Sequence, residues 1–360
     1  MAILVSSTTS NMPLGVNYQL MKGLLSAARK KLPFFNGTLP GTLDKNGSTA
    51  SVKWERLDNL SPTTTAMTQI EGNQSAFFGR STVLPATTNV TAAMAKYGQA
   101  VLLTEEIDFY QMNLRAARFV DNLGANAGES LNLLMESVFS GASKVRYSNG
   151  AVGGGTADTN VTSVISLNDI KWSVNTLNRW SAMQFTTPAY GSQNYNTNPV
   201  RASYYGIAHV DVEEDIRSIT GFIPVEQYGG YTETMPFEFG AVGGVRWCST
   251  EIIPVTTGGG TTSAGGIRGA SSTQNDIYST YIYGKEAVGS VGLGNMHATN
   301  AYEMYNPKNP PAVELITKAP GQVGTDLFNE VGSAAWKAWF AGAILNSHWI
   351  VKVRSGASKL

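Results

Sequence analysis

The sequence predicts a mixed α+β fold, and three observations carry that expectation. The stretch from Thr104 to Ser143 repeats apolar residues at helical spacing. Around Ser48–Leu57, Thr91–Thr104 and Ala334–Val353 the text alternates apolar and polar residues with the period of a strand. A glycine-rich link, Gly150 to Thr159, separates the helical stretch from a middle region that mixes both patterns. Helices and strands that alternate irregularly along one chain belong to the α+β class.

Taken in order, residues 1–35 read as an N-terminal arm. Tyr18, Met21, Leu24, Leu25 and Ala28 share one helical face, followed by Arg29-Lys30-Lys31 and stopped at Pro33. So short a helix is marginal unless it lies on another surface. The basic cluster reads as a solvated helix end in preference to a phosphate contact. Val52, Trp54 and Arg56 then alternate with Lys53, Glu55 and Leu57, and a second strand returns from Thr91 to Thr104. The long polar excursion between them makes an extended β-hairpin loop, barely stable without a partner surface.

The helix from Thr104 is expected to span roughly 50 Å. Its stripe is Met112, Ala116, Phe119, Leu123, Ala127, Leu131, Leu134 and Val138. Thr104 is the expected N-cap, Glu105, Glu106 and Asp108 suit the helix dipole, and Gly141 with Lys144 and Arg146 suits the stop. Gly124 and Gly128 inside it predict a close backbone approach or a slight bend. Ser166 and Asp169 open a second helix, with Ile170, Val174, Leu177 and Trp180 on one face. Tyr204–Val210 reads as a buried strand, and Asp211 with Glu214 as a capping box for a short helix. Phe237–Ile253 reads as two strands turned at Gly243-Gly244, Thr256–Asp276 as a polar loop, and Ile277–Leu293 as a strand entering a turn. Ala312–Pro320 and Val331–Leu345 are strands, the latter turning at Asn346-Ser347 into His348–Ser355. The apolar side of this returning sheet is the expected mate for the long helix, which makes 146–311 an insertion.

Of the 360 residues, 42% are hydrophobic and only 14% charged, well below the roughly 25% usual in soluble domains. A weakly charged surface lacks the self-repulsion that keeps monomers apart, so much of this chain is expected to be covered by neighbours. With 26 basic and 26 acidic residues the formal charge is zero, which argues against a nucleic-acid-condensing protein. Cys248 is alone, which suits a reducing interior. The N-terminus lacks the basic region of a signal peptide, and no apolar run reaches membrane-spanning length uninterrupted, so a soluble intracellular product without a membrane partner is expected.

Catalytic signals are weak. His209, His297 and His348 lie far apart, and the acids around His209 (Asp211, Glu213, Glu214 and Asp215) read more simply as a helix start than as a metal cluster. Cys248 reads as a small buried hydrophobe, and Gly289-x-x-Gly292-x-Gly294 as turn glycines without the lysine or helix of a phosphate loop. No catalytic, cofactor-binding or metal residue is assigned, no cofactor is expected, and the chain is not expected to be an enzyme.

Several segments, in order, resemble a known family: KYGQAVLLTEEID, NLGANAGESLN, HVDVEEDIRS, FGAVGGVRW, YGKEAVG and VGSAAWKAWFAGAILNSHWIVKVRS. The set is similar to the major capsid proteins of tailed double-stranded DNA bacteriophages, with the Hong Kong 97-like fold, and closest to the major coat protein family of the short-tailed phage N-four. Val210 stands where a proline is common, and the loops near 146–163, 186–200 and 256–276 are long and polar. The resemblance implies an N-terminal arm (1–35), an extended β-hairpin loop (36–103), a peripheral domain with a long spine helix and sheet (104–145 and 312–360), and an inserted axial domain (146–311). It implies hexamers and pentamers of an icosahedral phage head, assembled in the host cytoplasm, with only weak contact to the enclosed double-stranded DNA. A separate scaffolding protein, a portal and decoration proteins are the implied partners besides the chain itself. An encapsulin-like compartment enclosing a cargo enzyme is the alternative on the same fold. A Thr/Gly-rich adhesion protein would need regular β repeats that the sequence lacks.

Overall fold

The structure is a computed structural model. It describes residues 32–35, 37–41, 51–57, 60, 62, 64, 85–104, 115–150, 154–185, 202–228, 237–261, 266–269, 274–291, 313–318, 328 and 330–359. In chain order the strands and helices are β1 (Leu39–Gly41), β2 (Ser51–Leu57), β3 (Thr87–Ala93), β4 (Ala95–Thr104), the long helix α1 (Arg115–Ser140), β5 (Lys144–Tyr147), α2 (Leu167–Arg179) and β6 (Tyr204–His209). There follow α3 (Val210–Arg217), β7 (Ile223–Pro224), β8 (Glu238–Val242), β9 (Val245–Thr250), β10 (Tyr278–Tyr283), β11 (Val288–Val291), β12 (Val313–Lys318), β13 (Val331–Ile344) and β14 (Ile350–Ser355). Together they make the α+β architecture that the sequence pattern predicts.

The larger sheet runs in the order β5-β14-β10-β6-β9-β8-β7. Every residue of β10 is buried, as a strand covered on both faces requires. One face packs against α2 and α3, through Ile170, Leu177, Val212 and Ile216 around Trp247 and Ile282. The helix α2 starts as its sequence demands. The Ser166 side chain accepts from the Asp169 amide, and Asp169 accepts in return from the Ser166 amide at 3.2 Å. The turn at Gly243-Gly244 joins β8 to β9 with φ of 66° and 84°, a left-handed pair that only a glycine-rich turn adopts cheaply.

The other face of the larger sheet presents Tyr205, Ile207, Tyr281 and Tyr283 to α1. The smaller sheet, β1-β11-β13-β12 with β4 also on β13, reaches the same helix through Trp336, Ala338 and Phe340. The expected pairing of long helix and returning sheet is therefore present. The helix meets both sheets at once. Phe139 packs edge-on against Tyr281 and Tyr283, while Trp336 Nε1 donates to Asn126 Oδ1 at 2.9 Å. Gly124 and Gly128 lie on the buried side of the helix.

Three details differ from expectation, each for a local reason, and one expectation falls outside the described residues. Thr104 ends β4, whose antiparallel ladder with β13 runs as far as the Thr104–Val331 pair, and the helix start expected just after it lies outside the described residues. Residues 105–114, with Glu105, Glu106, Asp108 and Met112, lie outside the described set. The fully buried stripe of α1 is Leu123, Ala127, Leu131, Met135 and Phe139, with Leu134 and Val138 only partly covered. A helix wedged against two sheets buries a wider arc than one stripe. The strand from Thr91 divides at Met94: β3 pairs with β2, and β4 turns away to pair with β13. Finally, β14 does not fold back on β13 as a hairpin. It lies between β10 and β5 in the larger sheet, so the chain's two sheets exchange strands across Asn346-Ser347.

Candidate assembly surfaces

The chemically suggestive residues are scattered, and each has a structural task. His209 is itself the N-cap of α3, its Nδ1 accepting from the Asp211 amide at 3.1 Å. That overturns Asp211 as the cap: β6 runs unbroken to His209, so the helix begins at Val210. Asp211 instead accepts from the Tyr278 hydroxyl at 2.9 Å and pairs with Arg268. Burial lowers the pKa of His209, which keeps Nδ1 free to accept. His348 stacks on Trp180 with ring centroids 3.8 Å apart, and His297 lies outside the described residues. Cys248 is buried in β9, and burial pushes its thiol well above the ordinary range, as an inert core residue requires. Gly289 sits inside β11 and not in a turn, while Gly292 and Gly294 lie outside the described residues. Among the described residues no group of three metal-ligating side chains converges, and no helix is long and apolar enough to cross a membrane.

Buried charges are spent on holding the elements together. Arg246 grips Glu238 with two hydrogen bonds, Nε to Oε1 at 2.7 Å and Nη2 to Oε2 at 2.5 Å, and the Tyr228 hydroxyl donates to the same carboxylate at 3.0 Å. Arg146 Nε and the Ser148 hydroxyl both reach Asp169 at 2.9 Å, so the cap of α2 also ties it to β5. The Glu136 carboxylate on α1 accepts from the Tyr281 hydroxyl at 2.6 Å, joining helix to sheet. Burial raises the pKa of Glu136, with Tyr281, Lys352 and Arg354 pulling the other way.

The hairpin has a small apolar seat of its own. The strands β2 and β3 form a two-stranded sheet of their own, seated on the body through Val52, Trp54 and Ala92 against Val291, Ala341 and Leu345. The Trp54 indole lies on two glycines of the paired strands β1 and β11. A Cβ at Gly41 would stand 2.7 Å from its ring, and one at Gly289 2.9 Å. No side chain other than hydrogen leaves that slot open. Arg56 Nη1 donates to the Leu345 carbonyl at 3.2 Å. Beside the seat lies a groove of about 370 Å³, lined by apolar Leu39, Trp54, Leu57, Val90, Met183 and Leu345 together with charged Glu55, Arg56 and Glu286. Leu57 is 63% exposed and Met183 41%. The expected need of the hairpin for a partner surface is thus met at its base from within the molecule. The alternation of β2 placed Trp54 on the covered side, but its slot depends on β1 pairing β11 across most of the chain.

No family model and no curated protein matches the chain. Solved structures do. The capsid of Ralstonia phage GP4 aligns over 91% of this chain and 92% of that chain, with a TM-score of 0.62 at 10% identity. The capsid of cyanophage Pam1 aligns over 100% and 97%, at 0.54 and 12% identity. The head structure of Helicobacter pylori bacteriophage KHP40 aligns over 99% and 95%, at 0.54 and 9% identity. Coverage this complete at identities this low is a likeness of architecture, and the chain therefore has the fold of these phage capsid subunits.

Proposed function

We propose that this chain is the major capsid protein of a tailed double-stranded DNA bacteriophage, a structural tile and not an enzyme. The observation that carries the reading is the end-to-end likeness of fold to phage capsids. In this reading the fold is of the Hong Kong 97 type, nearest the N-four coat proteins. Residues 1–35 are the arm, 36–103 the extended loop, 104–145 with 312–360 the peripheral domain and its spine helix, and 146–311 the axial domain, with β14 lent to the axial sheet. Hexamers and pentamers build an icosahedral head in the host cytoplasm and remain in the virion. A separate scaffolding protein, a portal and decoration proteins assist. The low charge supports the reading, because many broad contacts, each burying on the order of 1,000 Å², are easier to make from a weakly charged surface. Zero net charge supports a shell that holds DNA without condensing it.

The test is negative-stain microscopy of the expressed protein, alone and with its neighbouring genes. Closed shells or capsomers of six and five are the expected result. A protease-resistant monomer at high concentration, with residues 48–104 folded entirely on its own body, would overturn the reading. Shells that load a co-expressed enzyme in place of DNA would mark a compartment instead.

A further inference from the structure

We propose that residues 356–359 form a strap that docks and releases as one unit with the loop 266–269, and that Asp215 of α3 is the residue that holds it. The proposal goes beyond the capsid reading and does not depend on it. Three elements close a circle of contacts. The buried Asp215 carboxylate accepts from the Ser358 amide at 3.0 Å through one oxygen and from the Ser358 hydroxyl through the other. The strap in turn pairs with the loop: the Arg268 amide donates to the Ala357 carbonyl and the Lys359 amide to the Gly266 carbonyl, each at 2.7 Å. The loop then returns to α3, where Arg268 Nη1 meets Asp211 Oδ1 at 2.9 Å while Asp211 Oδ2 takes the Tyr278 hydroxyl. Ala357 and Ile267 are buried inside the circle. A Cβ at Gly356 would stand 2.7 Å from Ile267 Cγ2, so a glycine is what lets the strap lie flat on the loop.

None of these bonds belongs to the ladder of the larger sheet. The strand β14 ends at Ser355, and its pairs with β10 and β5 all precede the strap. The strap's own bridges, Gly356 to Val164 and Ser358 to Ile267, are isolated ones. Release therefore breaks a few bonds and leaves the sheet intact, the condition for a local opening far cheaper than global unfolding. The helix α3 couples the two ties. It has only 8 residues, too few to stand alone, with Asp211 fixed to the loop in its first turn and Asp215 fixed to the strap one turn on. Loosening either tie loosens the other. Docked, the strap shuts the α3 side of the larger sheet; released, it bares Ala357, Ile267 and the Asp215 carboxylate while both sheets persist.

Amide hydrogen exchange in the full-length chain tests the coupling. Asp215→Ala cuts the tie to the strap and leaves the loop's tie in place. It is expected to speed exchange at the Arg268, Ser358 and Lys359 amides together by about tenfold, the scale of one lost hydrogen bond to a charged group. Asp211→Asn touches the loop's tie alone and keeps an acceptor for Tyr278. It is expected to speed the same three amides by about threefold, as a half-exposed ion pair allows. Gly356→Val props the strap off Ile267 without altering either carboxylate, and is expected to reproduce the pattern. In all three variants the amides of β10 and β14 should keep their rates. If Asp211→Asn quickens Arg268 alone, or Asp215→Ala quickens the strap alone, the two do not move as a unit and the proposal is overturned. Quickening that spreads through β10 and β14 overturns it too, because the opening would then be global. Shell formation is scored separately by microscopy, so either reading can fail without the other.

Discussion

Arg246 and Glu238 have side chains 3% and 0% exposed, which makes their pairing an obligation more than a bonus. Removing one partner strands the other without water, and such breaks cost about 3–5 kcal/mol. Glu238→Gln is therefore expected to lower the urea midpoint sharply, and Glu238→Leu with Arg246→Met to recover much of the loss. Glu136 gives a pH signature. Its folded pKa is raised, so its contribution is full below the ordinary glutamate value and is lost as pH rises through the raised value. Stability measured across that window should decline with rising pH, and Glu136→Gln should flatten the decline. His209 runs the other way. Its folded pKa is lowered, so its capping contribution is full above the ordinary histidine value and is lost as pH falls toward the lowered one. His209→Asn keeps a capping acceptor and should remove that acid sensitivity. The sequence showed an acidic helix start here but pointed to the wrong residue, because Asp is a preferred cap and His is not.

Among the elements, α2 was the most legible. Ser166, Asp169, Ile170 and Leu177 lie within one short window, and the reciprocal capping bonds between Ser166 and Asp169 are local. Ser166→Ala should cost about 1 kcal/mol in equilibrium unfolding. The hairpin was legible as two strands but not as a seated element. Trp54 depends on Gly41 and Gly289, which pairing across long sequence separation brings together and no local pattern reveals. Gly289→Val should fill the slot and lift the hairpin. Hydrogen exchange is expected to quicken in β2 and β3 while α1 keeps its protection. Quickening spread evenly over both would mean that the slot supports the whole body. The break at Met94 went unread for the same reason: one continuous strand-like run changes its partner from β2 to β13 there, and only the long-range pairing shows it.

At the scale of the whole molecule, α1 joins the two sheets in one continuous core, with Phe34, Phe139 and Tyr281 in mutual edge contact. Phe139→Ala should cost about 3–5 kcal/mol. Because both sheets share that core, the loss should shift a single unfolding transition and not split it, a point that near-ultraviolet circular dichroism and fluorescence can check together. The class of fold and the marriage of long helix with returning sheet were readable, since both rest on strong periodicity. The destination of β14 was not. Its pattern of Ile350, Val351 and Val353 suits any half-buried neighbour, and only the exchange of strands between sheets decides which one it takes.

That exchange has a consequence for how the chain is made. While the ribosome works from Gly284 to Trp349, β10 has been made and begins to leave the exit tunnel, but it lacks the neighbour that completes its ladder. The unfinished edge is a sticky template on a nascent polypeptide, of the kind that holding chaperones cover. No growing chain can close its larger sheet before translation has passed Ser355, so a polysome carries a row of nascent chains with that edge still open.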